Sequence, residues 1–178
     1  LAEAGYPGGK GLPVITLDMG SDTNQKQKGE FFQQCMQAIG IKVNVVSNPW
    51  TELIKKLHKK ATMLHAMSWR ADYPDAENFF QLLYQAGGTL GANFDDAAFN
   101  ALYEKATAMP DSPARTALYE QLNQMAGENV PLIYTVHASH LGLHQGWVKN
   151  YCWSDFHYGT EQYFDVDLAQ KQALMPKL

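Results

Sequence analysis

The sequence has 178 residues, of which 46% are hydrophobic and 18% are charged, so it can bury a core of about one domain and is not a disordered chain. The net charge is −4 and the basic residues are scattered, which argues against nucleic acid or an anionic membrane surface as the main partner. No apolar run approaches the ~20 residues of a membrane-spanning helix.

The N-terminal stretch LAEAGYPGGKGLP is typical of a helix end followed by a Gly/Pro loop. Because the chain opens on Leu1, we expect it to be part of a longer protein, and the missing signal peptide says nothing about its compartment. The loop does not match a phosphate-binding loop. Gly11 follows the lysine where Ser or Thr is required, and the loop precedes a strand instead of linking a strand to a helix.

The first part of the chain alternates between predicted strands and helices. PVITLDM, IKVNVVS and MLHAMSW are predicted strands at 13–19, 41–47 and 63–69. This order predicts an α/β fold whose strands are at least partly parallel, and ligands of such folds gather at the carboxyl ends of the strands.

The first predicted helix, 24–39, ends before Gly40 and has an apolar face at helical spacing. That face consists of Phe31, Phe32, Cys35, Met36 and Ile39. Cys35 is therefore expected to be a buried free thiol. The second predicted helix begins with Asn48 as N-cap and Pro49 at the first helical position.

The chain becomes mostly helical after the third strand. A short helix at about 76–85 is predicted to turn Phe79, Leu82 and Leu83 inward, and the next helix to bury Phe99, Leu102, Tyr103 and Ala106. Ser112 is the predicted cap of a further helix with Pro113 at its first position; Leu118, Leu122 and Met125 line it and Gly127 ends it. Strands are predicted at 130–136, 140–144 and 162–166.

Several residues invite a catalytic or metal-binding interpretation that their spacing does not support. The C-terminal candidates His137, His140, His144, Cys152 and His157 match no tight ligand motif, so no metal site is predicted. Asp75 lies where an N-cap belongs, and Glu77 lies in a first helical turn, where negative charge is favourable. A small hydrolase built on these carboxylates remains the weakest alternative.

Asp72 has two interpretations. It is either a turn residue before Tyr73 and Pro74, or a carboxylate beside Trp69 that binds an ammonium group at the mouth of a cleft. A desolvated cation needs such a partner, because burying it unpaired costs several kcal/mol.

The segment SWRADYPDAENFF (68–80) resembles a stretch of the family 5 extracytoplasmic solute-binding proteins of ABC importers, the oligopeptide- and dipeptide-binding class. Other stretches resemble the family in the same order: LAEAGYPGGKGLPVITL, FFQQCMQAIGIKVNVV, FDDAAFNALYEKA, SPARTALYEQLNQMAGENVPLIYTV and WVKNY. The resemblance implies lobe II of a periplasmic-binding-protein-like (type II) fold, with a mixed sheet flanked by helices. Residues 1–150 would form this lobe, and 151–178 would return towards an N-terminal lobe that the chain lacks.

By the same resemblance, Asp72 pairs with the α-ammonium of a peptide, while the backbone of Ser68, Trp69, Arg70 and Ala71 pairs with the extended ligand. Dipeptide binders of the family hold the ligand carboxylate with an arginine early in the first helix of this lobe. Here that region offers only Lys26 and Lys28. The substrate class therefore stays open, with metal or metal-chelate binding as the alternative.

The resemblance further implies a monomeric protein without enzymatic activity or cofactor. It would be periplasmic or lipid-anchored, and it would deliver its solute to ABC permease subunits. Without the first lobe, 151–167 is expected to expose apolar side chains.

Overall fold

The computed structural model describes residues 1–85, 92–156 and 158–175. The chain divides into two compact units, Leu1–Ala71 with Asp75–Leu132 and Asp72–Pro74 with Ile133–Leu178. The predicted lobe boundary at residue 150 stays a prediction. No helix in the described ranges is both long enough and apolar enough to cross a membrane.

The first unit contains a three-stranded parallel sheet, which confirms the α/β prediction. Its strands are β1 (Ile15–Gly20), β2 (Val43–Asn48) and β3 (Leu64–His65), in the order β2-β1-β3. Helices α1 (Thr23–Ala38) and α2 (Trp50–His58) connect them. Because the strands are parallel, their carboxyl ends share one edge of the sheet.

Helix α1 packs on the sheet through only part of the predicted face. Gly29 is buried, and Phe32 and Met36 pack against the sheet core of Leu17, Met19 and Val43. Phe31 and Ile39 are 69% and 54% exposed, and Cys35 is exposed as well, so the prediction of a buried thiol is wrong. Gly29 has no side chain, which lets this face of the helix approach the strands closely. Gly40 follows the helix with φ +86°, as predicted for its end.

Asn48 is the last residue of β2 and not the cap of α2, so that prediction is wrong. Its amide is buried and donates to Asp18 Oδ1 at 2.9 Å and to the Val46 carbonyl at 3.0 Å, which directs the side chain towards the sheet. Pro49 takes the N-cap position without a side-chain cap, and α2 buries Leu53 and Leu57.

The described part of the first unit also contains the helices α3 (Glu77–Phe80), α4 (Ala97–Thr107) and α5 (Pro113–Asn129). The predicted α4 face is confirmed at Phe99, Tyr103 and Ala106, which are buried in the core formed with α5. Ser112 accepts a hydrogen bond from Arg115 N, which confirms the predicted start of α5. Two predictions are wrong: Phe79 is 49% exposed, and α5 continues past Gly127 to Asn129.

The second unit has little regular structure in its described residues. A strand pair, β4 (Val148–Lys149) with β5 (Asp165–Val166), is antiparallel, and helix α6 (Leu168–Leu174) follows. The predicted strand at 162–166 is confirmed only at its end. The strands predicted at 130–136 and 140–144 do not form, although the structure describes both ranges. Val130 has φ 47°, which breaks an extended chain at its first residue.

Candidate functional site

The predicted binding segment Ser68–Ala71 follows the edge strand β3. The predicted strand 63–69 pairs with β1 over only two residues, and the Ala66 amide then donates to the Asp18 carbonyl at 3.0 Å. Beyond that point the chain has no regular structure until α3. The segment therefore leaves the sheet at the edge where the carboxyl ends of the strands meet, which is where ligands of parallel α/β sheets bind.

Exposure alternates along this segment. Ser68 and Arg70 are exposed, Trp69 is half-buried, and Ala71 is buried. Such an alternation is typical of an extended chain with one face towards the protein. An extended segment at this edge presents its backbone in a form that another extended chain can pair with.

Trp69 is held in place from α3. Its indole Nε1 donates to Asn78 Oδ1 at 2.8 Å, and Asn78 is only 1% exposed. The indole N–H of a half-buried tryptophan needs an acceptor where water is excluded, and Asn78 supplies it. Trp69 is thereby fixed on the protein side of the segment.

Asp75 holds the start of α3. Its Oδ1 accepts a hydrogen bond from Glu77 N at 2.9 Å, which satisfies an N–H at the helix start. Its carboxylate also binds the Arg115 guanidinium at 2.7 Å and 3.1 Å. The hydrogen bond from Arg115 lowers the pKa of Asp75, and the backbone amide of Glu77 acts in the same direction. The prediction that Asp75 lies at or near this N-cap is confirmed.

Arg115 is the residue at this site that the sequence analysis missed. Besides Asp75 it donates from Nε to the Ala106 carbonyl at 3.1 Å and from a terminal nitrogen to the Tyr119 hydroxyl at 2.8 Å. The guanidinium also lies 4.8 Å from the centre of the Tyr119 ring. The bond with Asp75 raises the pKa of Arg115, and burial raises the pKa of the Tyr119 hydroxyl.

The other predicted site residues are all exposed. Asp72 and Tyr73 are exposed and belong to the second compact unit, although Asp72 directly follows Ala71 in the chain. Lys26 and Lys28 lie early in α1, which begins at the same edge of the sheet because it follows β1. The role of each in binding stays a prediction.

A second polar cluster that the sequence analysis missed lies on the sheet. Asp18 is 3% exposed and accepts hydrogen bonds from Lys56 Nζ at 2.6 Å and from Asn48 Nδ2 at 2.9 Å. A buried carboxylate requires such partners, since an unpaired charge is costly to desolvate. The cluster ties α2 to β1 and β2.

The alternatives of metal binding and hydrolysis gain little from the geometry. Over the described ranges, no three His, Cys, Asp or Glu side chains converge as metal ligands; His157 lies outside these ranges. His144 instead stacks on Tyr151, with ring centres 4.3 Å apart. Asp75 is bound by Arg115, and Glu77 accepts a hydrogen bond from the Tyr103 hydroxyl, so both carboxylates have structural partners.

Comparison with known families gives a match over the first half of the chain. Residues 1–91 match the model of the bacterial extracellular solute-binding proteins, family 5, middle region. The matched range includes the sheet, α1, α2 and the segment Ser68–Ala71.

Similar proteins include binders of different solutes. Heme-binding protein A of Haemophilus influenzae is 29% identical, with 94% of this chain and 31% of that protein covered. Di/tripeptide-binding protein 3 of Pseudomonas aeruginosa is 31% identical, with 65% of this chain and 22% of that protein covered. The chain thus spans less than a third of the length of either relative.

A solved structure has the same fold. The periplasmic binding protein DppA of Helicobacter pylori, in complex with the peptide STSA, superposes with a TM-score of 0.66 and 26% identity. The match covers 74% of this chain and 26% of that structure. The parallel sheet with its flanking helices therefore matches part of a periplasmic binding protein.

Proposed function

The chain belongs to family 5 of the bacterial extracellular solute-binding proteins, and from this premise we propose that it is one lobe of the solute-binding component of an ABC importer. The family is one of binding proteins and not of enzymes. The lobe closes with an N-terminal lobe over a peptide, and the complex delivers the peptide to permease subunits from the periplasm or from a lipid anchor. The chain acts as a monomer.

The segment Ser68–Ala71 carries this proposal. It lies at the carboxyl edge of the parallel sheet with alternating exposure, and Trp69 is fixed by Asn78 behind it. Backbone pairing along such a segment recognises a peptide main chain and tolerates many side chains. Asp72, which follows directly, binds the ammonium group at the peptide's N-terminus.

The carboxylate of the peptide requires a second anchor. Lys26 and Lys28 are exposed near the start of α1, at the same edge of the sheet. A lysine is a flexible point charge that reaches a carboxylate without the fixed fork of an arginine. We assign these two residues to the carboxylate of a short peptide.

Heme is the second candidate ligand. The heme-binding relative covers 94% of this chain, whereas Di/tripeptide-binding proteins 1 and 3 of Pseudomonas aeruginosa cover 83% and 65%. A flat, largely apolar ligand would contact the aromatic side chain of Trp69 in this segment.

Calorimetric titration of the full-length protein tests the proposal. Alanine di-, tri- and tetrapeptides and hemin are titrated separately, and mass spectrometry identifies any solute that co-purifies. We expect a peptide to bind with a micromolar or lower Kd, on the order of −8 kcal/mol. Binding of hemin alone would select the second candidate, and binding of none of the four would refute both.

A further inference from the structure

Four side chains connect helix α5 to the segment Ser68–Ala71 within the first compact unit. The first contact is the pair of Arg115 with Asp75, in which both carboxylate oxygens accept hydrogen bonds. Bidentate pairs of this kind fix orientation as well as distance, because the guanidinium and the carboxylate are planar. The side chain of Arg115 is 12% exposed and that of Asp75 is 30% exposed, so the pair is largely shielded from water.

Asp75 transmits this orientation to α3. Its side chain accepts from Glu77 N, and its carbonyl accepts from Asn78 N at 3.2 Å. Helix α3 has only four residues, far fewer than the roughly 12–15 at which an isolated helix becomes marginally stable. Its position is therefore determined by contacts with its neighbours. These include the stacking of Phe80 on Tyr119, with ring centres 5.6 Å apart.

Asn78 completes the connection. It lies in α3, and its side-chain oxygen accepts the indole N–H of Trp69 at 2.8 Å. Any displacement of α3 moves this acceptor, and Trp69 must follow or lose its hydrogen bond. The path thus runs from Arg115 through Asp75 and Asn78 to Trp69.

We propose that Arg115 is a positioning residue for ligand binding, which acts through Asp75 and α3 to set the place of Trp69 and of the segment Ser68–Ala71. The binding part of this inference rests on the proposed function. The structural part does not, because the position of Trp69 can be measured without a ligand.

The first experiment follows the Trp69 indole N–H resonance of the full-length protein by NMR, assigned with Trp69→Phe. Arg115→Met removes the ion pair with Asp75. Arg115→Lys keeps the positive charge but not the two guanidinium N–H groups that bind both carboxylate oxygens. The matched control is Lys55→Met, which breaks the exposed pair between Lys55 and Glu52. All spectra are recorded where circular dichroism shows a folded protein.

We expect Arg115→Met to shift the Trp69 resonance, Arg115→Lys to shift it less, and Lys55→Met to leave it unchanged. A merely structural role lowers the melting temperature and leaves this resonance in place, and that result overturns the proposal. If Arg115→Met does not fold, Asp75→Asn replaces it. The amide keeps an oxygen for Glu77 N while the charge is lost, and the same shift is expected.

The second experiment titrates the same variants with alanine tripeptide and with hemin. We expect Arg115→Met to weaken binding of whichever probe the wild type binds by about tenfold, as changes along a coupled path do. Unchanged affinity in Arg115→Met overturns the role in binding. If the wild type binds neither probe, the proposed function fails and the role in ligand binding falls with it. The indole resonance then still decides whether Arg115 positions Trp69.

Discussion

At the scale of single residues, Arg115 occupies a position where a cation is unfavourable. It is the third residue of α5 after the Ser112 cap, at the positive end of the helix dipole, and the first turn contains no acidic residue. A charge of the wrong sign there costs about 0.3–1 kcal/mol unless it has a partner. Asp75 is that partner, so the ion pair offsets the unfavourable interaction between Arg115 and the helix dipole.

Loss of this pair should lower stability in a pH-dependent way. We expect Arg115→Met to reduce the free energy of unfolding by about 1–3 kcal/mol at pH 7, because a charged hydrogen bond in a largely shielded site is lost. The hydrogen bond from Arg115 lowers the pKa of Asp75 below the usual value of an aspartate. Its contribution is therefore fully present above that value and is lost as pH falls through the folded pKa. Urea unfolding between pH 7 and pH 3 measures both effects.

Lys55→Met is again the matched control, because it breaks an exposed ion pair elsewhere in the first unit. Lys55 and Glu52 are 60% and 56% exposed, so solvent screens that pair and its removal should leave the free energy of unfolding nearly unchanged. The wild type should lose stability relative to Arg115→Met as the pH falls below about 4. A constant difference between the two proteins down to pH 3 would contradict the assignment of the pair as the source of the lowered pKa.

The proposed ion pair between Asp72 and a peptide ammonium group can be tested by removing either member of the pair. If Asp72 binds a peptide ammonium in a closed cleft, Asp72→Asn in the full-length protein should cost about 3–5 kcal/mol of binding, or at least about two orders of magnitude in Kd. N-acetylation of the peptide should cost a similar amount in the wild type and little more in the variant. Calorimetry of the four combinations measures this coupling.

The alternative interpretation of Asp72 gives the opposite pattern. A turn aspartate contributes roughly 0.5–2 kcal/mol to stability and nothing to affinity. If Asp72→Asn binds normally but unfolds at a lower temperature, Asp72 is a turn residue, and the ammonium group is bound elsewhere.

At the scale of elements, alanine substitutions of two helical glycines should change the stability of the protein in opposite directions. A Cβ on Gly29 of α1 would lie 2.7 Å from Met19 Sδ and 2.9 Å from Val45 Cγ1, whereas a Cβ on Gly127 of α5 would have no atom within 4 Å. Gly29→Ala should therefore destabilise the protein by about 1–3 kcal/mol through overpacking. Gly127→Ala should stabilise it by about 0.5–1 kcal/mol, because alanine favours the helix. Chemical unfolding of both variants checks the signs, and a stabilising Gly29→Ala would contradict the close packing of α1.

The elements also show which features the sequence could predict. The start of α5 and the end of α1 were predictable, because a Ser-Pro cap and a glycine at positive φ act locally. The limits of the buried face of α1 were not, since its apolar pattern is broad and the contact depends on Gly29 meeting β1 and β2. The role of Asn48 was missed for the same reason: its partner Asp18 is thirty positions away.

The same limit applies to the candidate site. Its location after the third strand followed from the order of the elements and from the family resemblance. The contacts that hold the site in place did not follow from the sequence. Arg115 and Asp75 are separated by forty positions, and only the fold brings them together. A basic residue in the first turn of α5 signals that a partner exists, but it does not identify which acid that partner is.

At the scale of the whole molecule, the C-terminal unit exposes many apolar side chains. Leu141 and Leu143 are 94% and 98% exposed, in a range whose alternating pattern predicts a strand. A strand needs a neighbouring strand to satisfy its backbone, and 131–145 forms no strand pair within the described ranges. The range 151–167 also exposes Trp153, Tyr158 and Tyr163, in agreement with the predicted exposure of its apolar side chains.

These surfaces lead to a prediction about the isolated chain. If a second lobe covers the ligand, the chain alone makes only part of the contacts with a peptide. We expect its Kd for alanine tripeptide to be at least about a hundredfold higher than that of the full-length protein, a loss of roughly 2.7 kcal/mol or more. Circular dichroism must first show that the isolated chain is folded, so that weak binding is not caused by unfolding. Calorimetry under the same buffer conditions then compares the two proteins. Equal affinity would mean that this lobe holds the entire site, and the peptide would then be recognised without closure of a second lobe.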